Sequence, residues 1–220
     1  MPVVAGRKSA RESFAGANCT YTIEAMMQDR RALQAGTSHN LGDNFARAFK
    51  TQYLGEDGER KYVHQSSWGV STRLVGGIIM THGDDSGLRL PPRMSPTQVV
   101  VVPIVKKDMD VEAVLAAAKG VAETLQRAGV RTLLDDSLDR TPGWKFNNYE
   151  LKGVPVRIEI GPKDIEKNAC VVASRDVVGK EGKTFGVSLE EGALVAHVEG
   201  VLAEIQERLL AEATKFRDEN

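Results

Sequence analysis

The chain has 220 residues, with 29 Lys and Arg against 30 Asp and Glu, a formal net charge of -1. At 41% hydrophobic and 27% charged residues, it has the composition of a folded chain, long enough for one large domain or two small ones, and not that of a disordered one. The near-zero charge excludes a uniformly basic surface, so any nucleic-acid-binding face must come from local clustering. Cys19 and Cys170 stand far apart with no CxxC spacing and read as free thiols in a reducing compartment. No apolar run approaches a membrane span. MPVVAGRKSARES at the N-terminus lacks a signal-peptide core, so a cytoplasmic location is expected.

In chain order, the first ninety residues are rich in Gly, Ser and Thr. QAGTSH (Gln34 to His39) places an amide, a hydroxyl and an imidazole around one glycine, a segment able to set short polar groups on a small ligand. His39 taken alone reads as an ordinary histidine packed beside Leu41, and Trp68 as core or cleft wall. Arg73 closes GVSTR and heads the apolar run LVGGIIMTH. A strand followed by an arginine at a helix start aims a guanidinium into a cleft, and its fork suits phosphate oxygens. From spacing alone, pairing with a nearby carboxylate is the simpler reading. Gly76-Gly77 lies inside the helix-like run, and neither the P-loop nor the dinucleotide-binding glycine pattern occurs.

PPRMSP (Pro91 to Pro96) is a connector, because each proline disfavours helix at the residue before it; a domain boundary is placed there. VVVVPIV (Val99 to Val105) reads as a strand buried on both faces. From Asp110 to Ala128, apolar residues at Val111, Val114, Leu115, Ala118, Val121, Ala122 and Leu125 predict an amphipathic helix closed by Gly129. Arg131 to Asp136 reads as a strand followed by a polar loop through Pro142-Gly143. Val154 to Gly161 alternates apolar and charged residues, which predicts one solvated face. Ala169 to Arg175 and Lys183 to Leu189 are further strands, and a long helix runs from about Glu190 to near Phe216. Its stripe from Leu194 to Leu210 is a packing face. Strands alternating with helices predict an α/β domain with a mixed sheet.

Between Leu138 and Asp164, Arg140, Lys145, Lys152, Arg157 and Lys163 interleave with Trp144, Phe146 and Tyr149. Basic and aromatic side chains in that mixture suit single-stranded RNA, whose bases stack on rings while cations meet phosphates. The competing reading makes Trp144 and Phe146 core anchors, with Asp139 and Glu159 diluting the positive patch.

Six segments in order, GRKSARESFAGA (Gly6 to Ala17), YTIEAMM (Tyr21 to Met27), QAGTSHNLGDNFARAF (Gln34 to Phe49), SSWGVSTRLVGGIIMTHGDD (Ser66 to Asp85), LRLPPRMSPTQVVVVPI (Leu88 to Ile104) and PGWKFNNYELKGVPVRIEIGPKD (Pro142 to Asp164), resemble the prolyl-tRNA synthetases of the archaeal/eukaryotic-like type. The resemblance implies a partial class II catalytic domain with an antiparallel sheet and motif 3 over residues 1–92. An anticodon-binding α/β domain over 97–210 and the start of a C-terminal extension over 211–220 complete the implied organisation. Nothing matches class II motifs 1 and 2. Thr22 to Glu24 has the letters of the family's TxE proline-binding segment but lies in the wrong place.

The resemblance also implies roles. Arg73 becomes the motif 3 arginine on ATP, catalytic in holding the phosphates. Gln34, Thr37 and Ser71 become ATP contacts, Gln34 also near its Mg2+, and His39 lines the proline pocket. Arg140, Lys145, Glu150 and Lys152 form an anticodon-reading group, the carboxylate suited to the N–H donors of guanine. Implied partners are tRNA(Pro), proline and ATP, with a homodimer for the full-length enzyme; no zinc site, membrane or DNA partner is expected. The implied activity is ATP-dependent activation of proline and transfer to tRNA(Pro). The isolated chain is expected to be inactive in catalysis, and residues 1 to about 90 poorly stable alone. The alternatives are a stand-alone anticodon-binding module and a split-enzyme subunit.

Overall fold

Four consecutive valines, Val99 to Val102, are fully buried, and the strand they form anchors the better-packed half of the molecule. The computed structural model describes residues 1–105 and 110–220. It divides into two compact units, Met1–Thr81 with Ala213–Asn220, and His82–Glu212.

In the first unit, β1 (Val4–Arg7), β2 (Cys19–Met26), β3 (Ala32–Gly42) and β6 (Gln65–Gly69) form an antiparallel sheet in the order β1-β2-β3-β6. Between β3 and β6 lie α1 (Asn44–Phe49) and the hairpin of β4 (Gln52–Leu54) and β5 (Arg60–Tyr62). After β6 the chain enters α2 (Arg73–His82), the strand-then-helix order expected around Arg73. These strands escape an apolar-run search because their buried positions are small or hydroxylated. In β2 the buried residues are Thr20, Thr22 and Ala25, whereas Tyr21 and Ile23 are exposed.

The register holds one irregularity that matters. Thr20 pairs with His39, Thr22 with Thr37 and Glu24 with Gln34, the shift falling between Ile23 and Glu24. One residue of β3, Ala35, is therefore extra, a β-bulge. Residues three apart on a regular strand face opposite ways. The extra residue restores Gln34 to the face of Thr37 and His39, opposite Thr20, Thr22 and Glu24.

In the second unit, β7 (Val99–Pro103), β8 (Thr132–Leu134), β9 (Val156–Ile160), β10 (Ala169–Ser174) and β11 (Lys183–Ser188) form a sheet in the order β11-β10-β9-β7-β8. β7 runs parallel to β8 and β9, and β10 is antiparallel to β9 and β11. The mixed sheet is thus the one expected. Helices α3 (Val111–Arg127) and α6 (Glu191–Glu219) press Ala118, Val121, Leu125, Leu194, Val198, Leu202, Ile205 and Leu209 inward, joining Val99, Val101, Ile158 and Ile160 in one core. The Asp110 carboxylate accepts from the Ala113 amide and caps α3. The short helix α5 (Pro162–Glu166) links β9 to β10.

Three local expectations are corrected. The strand predicted over Arg131 to Asp136 is confined to β8. The polar loop through Pro142-Gly143 is α4 (Pro142–Leu151), started by the Thr141 hydroxyl accepting from the Trp144 amide and by Pro142 in the first turn. The alternation at Val154 to Gly161 does not give a solvated face. Glu159 is only 6% exposed because two cations neutralise it.

The segment Leu88–Leu90 lies against residues 151–153 through Leu88 N–H to Leu151 O and Leu90 N–H to Gly153 O. Gly153 has φ +74, and a Cβ there would meet the Leu88 carbonyl oxygen at 2.5 Å, so only glycine serves. No helix among the described residues is long and apolar enough to cross a membrane.

Candidate functional site

One candidate site is the β3 face bearing Gln34, Thr37 and His39. The Gln34 side-chain oxygen accepts from Lys8 Nζ at 2.7 Å, and its carbonyl accepts from Arg73 Nη1 at 3.4 Å. The Arg73 amide donates to Ser71 Oγ at 3.3 Å, which sets the first turn of α2. Among the described residues no carboxylate pairs with the exposed Arg73, so its charge stays available to an anion. His39 Nδ1 lies 2.9 Å from Thr20 Oγ1, and the Phe14 ring packs against the imidazole at 4.9 Å between centroids. The structure thus gathers Gln34, Thr37 and His39 on one face, ties Arg73 and Ser71 to it, and adds Lys8, which sequence inspection missed. A basic residue in a Gly/Ser-rich opening segment carries no signal of its own.

The opposite sheet face carries an apolar cavity of about 330 Å³ lined by Tyr21, Ile23, Gly36, Ser38, Trp68 and Val70. Of the predicted site residues only Thr37 borders it. Its chemistry is that of a packing surface, and Trp68 is a wall residue, 80% exposed.

The second candidate site is a cavity of about 430 Å³ in the second unit, bounded by Tyr149, Glu150, Arg157, Ser174, Arg175, Val178, Lys180 and Lys183. Four cations and one carboxylate border one concavity. Arg175 clamps Asp84 with two hydrogen bonds, at 2.7 and 2.9 Å, and its Nε donates to the Glu150 carbonyl at 2.9 Å. The Arg175 hydrogen bonds hold the Asp84 carboxyl below the usual aspartate range. Arg157 donates through Nε and Nη2 to Glu159, and Lys183 approaches the same carboxylate at 2.7 Å. Of the four cations, Arg157 belongs to the basic and aromatic stretch read from the sequence, whereas Arg175, Lys180 and Lys183 carry no such signal. The four lie on β9, at the end of β10, in the loop that follows and on β11, so only the sheet order brings them together.

The four residues singled out for RNA contact are dispersed. Glu150 borders the cavity. Arg140 stacks on Trp144, 5.0 Å from the ring centroid, at the other end of α4; Pro142 to Glu150 alone spans about 12 Å at 1.5 Å per residue. Lys152 lies over the Tyr149 ring at 5.6 Å. Lys145 is buried: its ammonium donates to the carbonyls of Asp135 and Ser137 at 2.8 and 2.7 Å and pairs with the Asp135 carboxylate at 2.9 Å. Lysine is rarely buried unless paired, so its place in the sequence predicts a surface role, and Asp135 supplies the pair that buries it. The Tyr149 hydroxyl donates to Asp135 as well; burial, reinforced by that hydrogen bond, pushes the phenol up to about 12. No group of three or more His, Cys, Asp or Glu among the described residues is arranged to hold a metal ion.

Residues 98–212, more than half of the chain, match the family model described as the anticodon binding domain. The chain belongs to the anticodon-binding domain family. This anticodon-binding domain chain is 64% identical over all 220 residues to the chloroplastic/mitochondrial proline–tRNA ligase of Arabidopsis thaliana, and 52% identical to the proline–tRNA ligase of Chlorobaculum tepidum. It spans 40% and 44% of the lengths of those two proteins. The prolyl-tRNA synthetase of Cryptosporidium parvum complexed with L-proline and AMP superposes with a TM-score of 0.86 at 41% identity. That match covers 99% of this chain and 46% of the Cryptosporidium parvum protein. The similarity therefore runs through both units and past the domain match.

Proposed function

We propose that the chain works in proline–tRNA ligation, its first unit contributing to prolyl-adenylate formation and its second reading the anticodon of tRNA(Pro). The supporting observation is the 64% and 52% identity to proline–tRNA ligases over all 220 residues. In this reading Gln34, Thr37, Ser71 and Arg73 hold ATP, and His39 lines the proline pocket. The donor set fits a nucleotide, since an amide, two hydroxyls and a guanidinium offer hydrogen bonds and one positive charge. Glu24, paired with Gln34 across the ladder, is the carboxylate on that face, and Mg2+ would be held through the phosphates with Gln34 beside it. The proline carboxylate attacks the α-phosphorus and pyrophosphate leaves, giving prolyl-adenylate; a hydroxyl of the tRNA 3′ end then attacks the prolyl carbonyl and AMP leaves. The residues named here hold the two anions in line and offset the charge that develops.

For the anticodon, Glu150 accepts from guanine N–H donors while Arg157, Lys180 and Lys183 meet O6 atoms and phosphates, and the buried Arg175 fixes Glu150 and Asp84 behind them. Arg140 and Lys152 extend the contact along α4, and Lys145 serves from behind by fixing the loop at Asp135. A homodimer for the full-length enzyme and a cytoplasmic location belong to the same proposal. So does the inactivity of the 220-residue chain on its own.

Two experiments test it. In the full-length enzyme, Arg73→Ala should cut proline-dependent ATP–pyrophosphate exchange by about 100-fold or more and leave tRNA affinity unchanged; equal loss of both would show Arg73 to be misassigned. The purified 220-residue chain should bind a synthetic anticodon stem-loop carrying GG at the second and third positions, and lose affinity when those guanines are replaced. Exchange activity in the same preparation would contradict the inactivity claim. Binding without base preference would favour a module that holds RNA by charge alone.

A further inference from the structure

We infer that Glu159 is a positioning residue for RNA contact: together with the Phe146 ring it holds Arg157 and Lys183 at the edge of the basic cavity. The inference rests on the reading of that cavity as the anticodon site. Its structural basis is the register of three adjacent strands. Ala173 of β10 is paired with Arg157 of β9 on one side and with Lys183 of β11 on the other. With only a methyl group on the middle strand between them, Lys183 reaches across β10 to Glu159 on β9, while Arg157 bonds the same carboxylate along its own strand. Glu159 stands two residues from Arg157 on the same strand, and therefore on the same face.

The resulting contacts are dense. Glu159 receives Arg157 Nε and Nη2 at 3.0 and 2.9 Å and Lys183 Nζ at 2.7 and 3.0 Å. Phe146 supports both cations, with the Arg157 guanidinium carbon 4.2 Å and Lys183 Nζ 5.7 Å from its ring centroid. Glu159 is 7% exposed at its side chain, whereas Arg157 and Lys183 keep 16% and 26%. The carboxylate is therefore sealed behind the cations while both cations border the cavity.

One carboxylate for two cations leaves a net positive charge facing the cavity. Burying such a group is a weak source of stability, because desolvation offsets most of the attraction. What it supplies instead is direction. A free Arg or Lys samples many rotamers, and fixing both before RNA arrives removes that ordering cost from binding.

The test exploits an opposition of sign. Glu159→Gln removes a negative charge from an RNA-binding cavity, so electrostatics alone predicts tighter binding. Positioning predicts the reverse, a loss of about tenfold in affinity. It also predicts a shallower dependence of log K on log salt, by up to about one for each cation no longer placed on phosphate. The measurement is fluorescence anisotropy of the 220-residue chain with the anticodon stem-loop across a KCl series. A wild-type chain that does not bind overturns the anticodon reading and the proposal with it. Wild-type binding with an equal or tighter E159Q complex overturns the proposal alone, as does a loss with unchanged salt slope, which marks general structural damage. If E159Q does not fold, Glu159→Asp replaces it, keeping the charge but drawing the carboxylate back by one methylene. Affinity weakened several-fold supports positioning, and wild-type affinity in folded E159D overturns it.

Discussion

The two units differ most in what they bury. The second, His82–Glu212, encloses Val99 to Val102, Leu125, Ile158, Ile160, Leu194 and Leu209, all at or below 1% exposure. The buried apolar residues of the first, Met1–Thr81 with Ala213–Asn220, are Ala25, Met27, Ala35 and Ala46, while Tyr21, Phe49, Leu54, Trp68, Val70 and Val75 lie exposed. A large aliphatic side chain contributes about 1.5–3 kcal/mol when removed from water and an alanine far less. The second unit therefore carries its own stability. The first is a sheet held mainly by its ladders, with polar groups on one face and an unpacked apolar surface on the other. Its value lies in the arrangement of that polar face, and the second unit's in rigidity beneath a basic cavity.

Paired substitutions sharpen that contrast. Ile158→Ala in the second unit should cost about 2–5 kcal/mol in urea unfolding followed by circular dichroism, the range for a buried aliphatic truncated to alanine. A loss under 1 kcal/mol would mean the core is far looser than its burial indicates.

An intermediate effect is expected at Asp84. Asp84→Asn leaves Arg175 short of a charged partner and should cost about 1–3 kcal/mol at pH 7. The hydrogen bonds from Arg175 lower the folded-state pKa of Asp84 beneath its unfolded value near 3.9. Stability from this pair is therefore complete above about pH 4 and is lost as pH falls through the folded pKa. The gap between wild type and D84N should narrow on acidification; a gap that holds constant down to pH 3 would assign the effect to packing. The smallest change belongs to the first unit, where Trp68→Ala should stay within about 0.5 kcal/mol despite removing the largest side chain type.

Legibility in the sequence followed the same division. Residues 99–102, the stripe of α3 and the stripe of α6 announce themselves because large apolar side chains repeat at strand or helix period. β2 and β3 do not, since threonine, alanine and glycine do the burying. α4 is hard to read although Thr141-Pro142 is a helix-start signal, because its residues Trp144 to Asn148 show little amphipathic pattern. At the site, Arg73 and the QAGTSH segment were recognisable by family likeness and by the strand-then-helix order. The basic cavity was not, because its four cations come from separate strands and a loop, and sequence distance hides sheet neighbours. Lys145 shows the limit of composition-based reasoning: a lysine flanked by aromatics looks like an RNA contact until Asp135 is found beside it.

The bulge at Ala35 gives the spacing Gln-x-x-Thr-x-His a meaning of its own. Thr37 and His39 are an even number apart and Gln34 and Thr37 an odd number, so a flat ladder would split the trio between two sides of the sheet. Deleting Ala35 would remove the bulge and leave Gln34 an even number from Thr37, still on its face; pairing Ala35 into the ladder instead would turn the Gln34 amide to the back of the sheet, away from Lys8. The spacing thus works as a parity code in which an unremarkable alanine must stay out of the ladder.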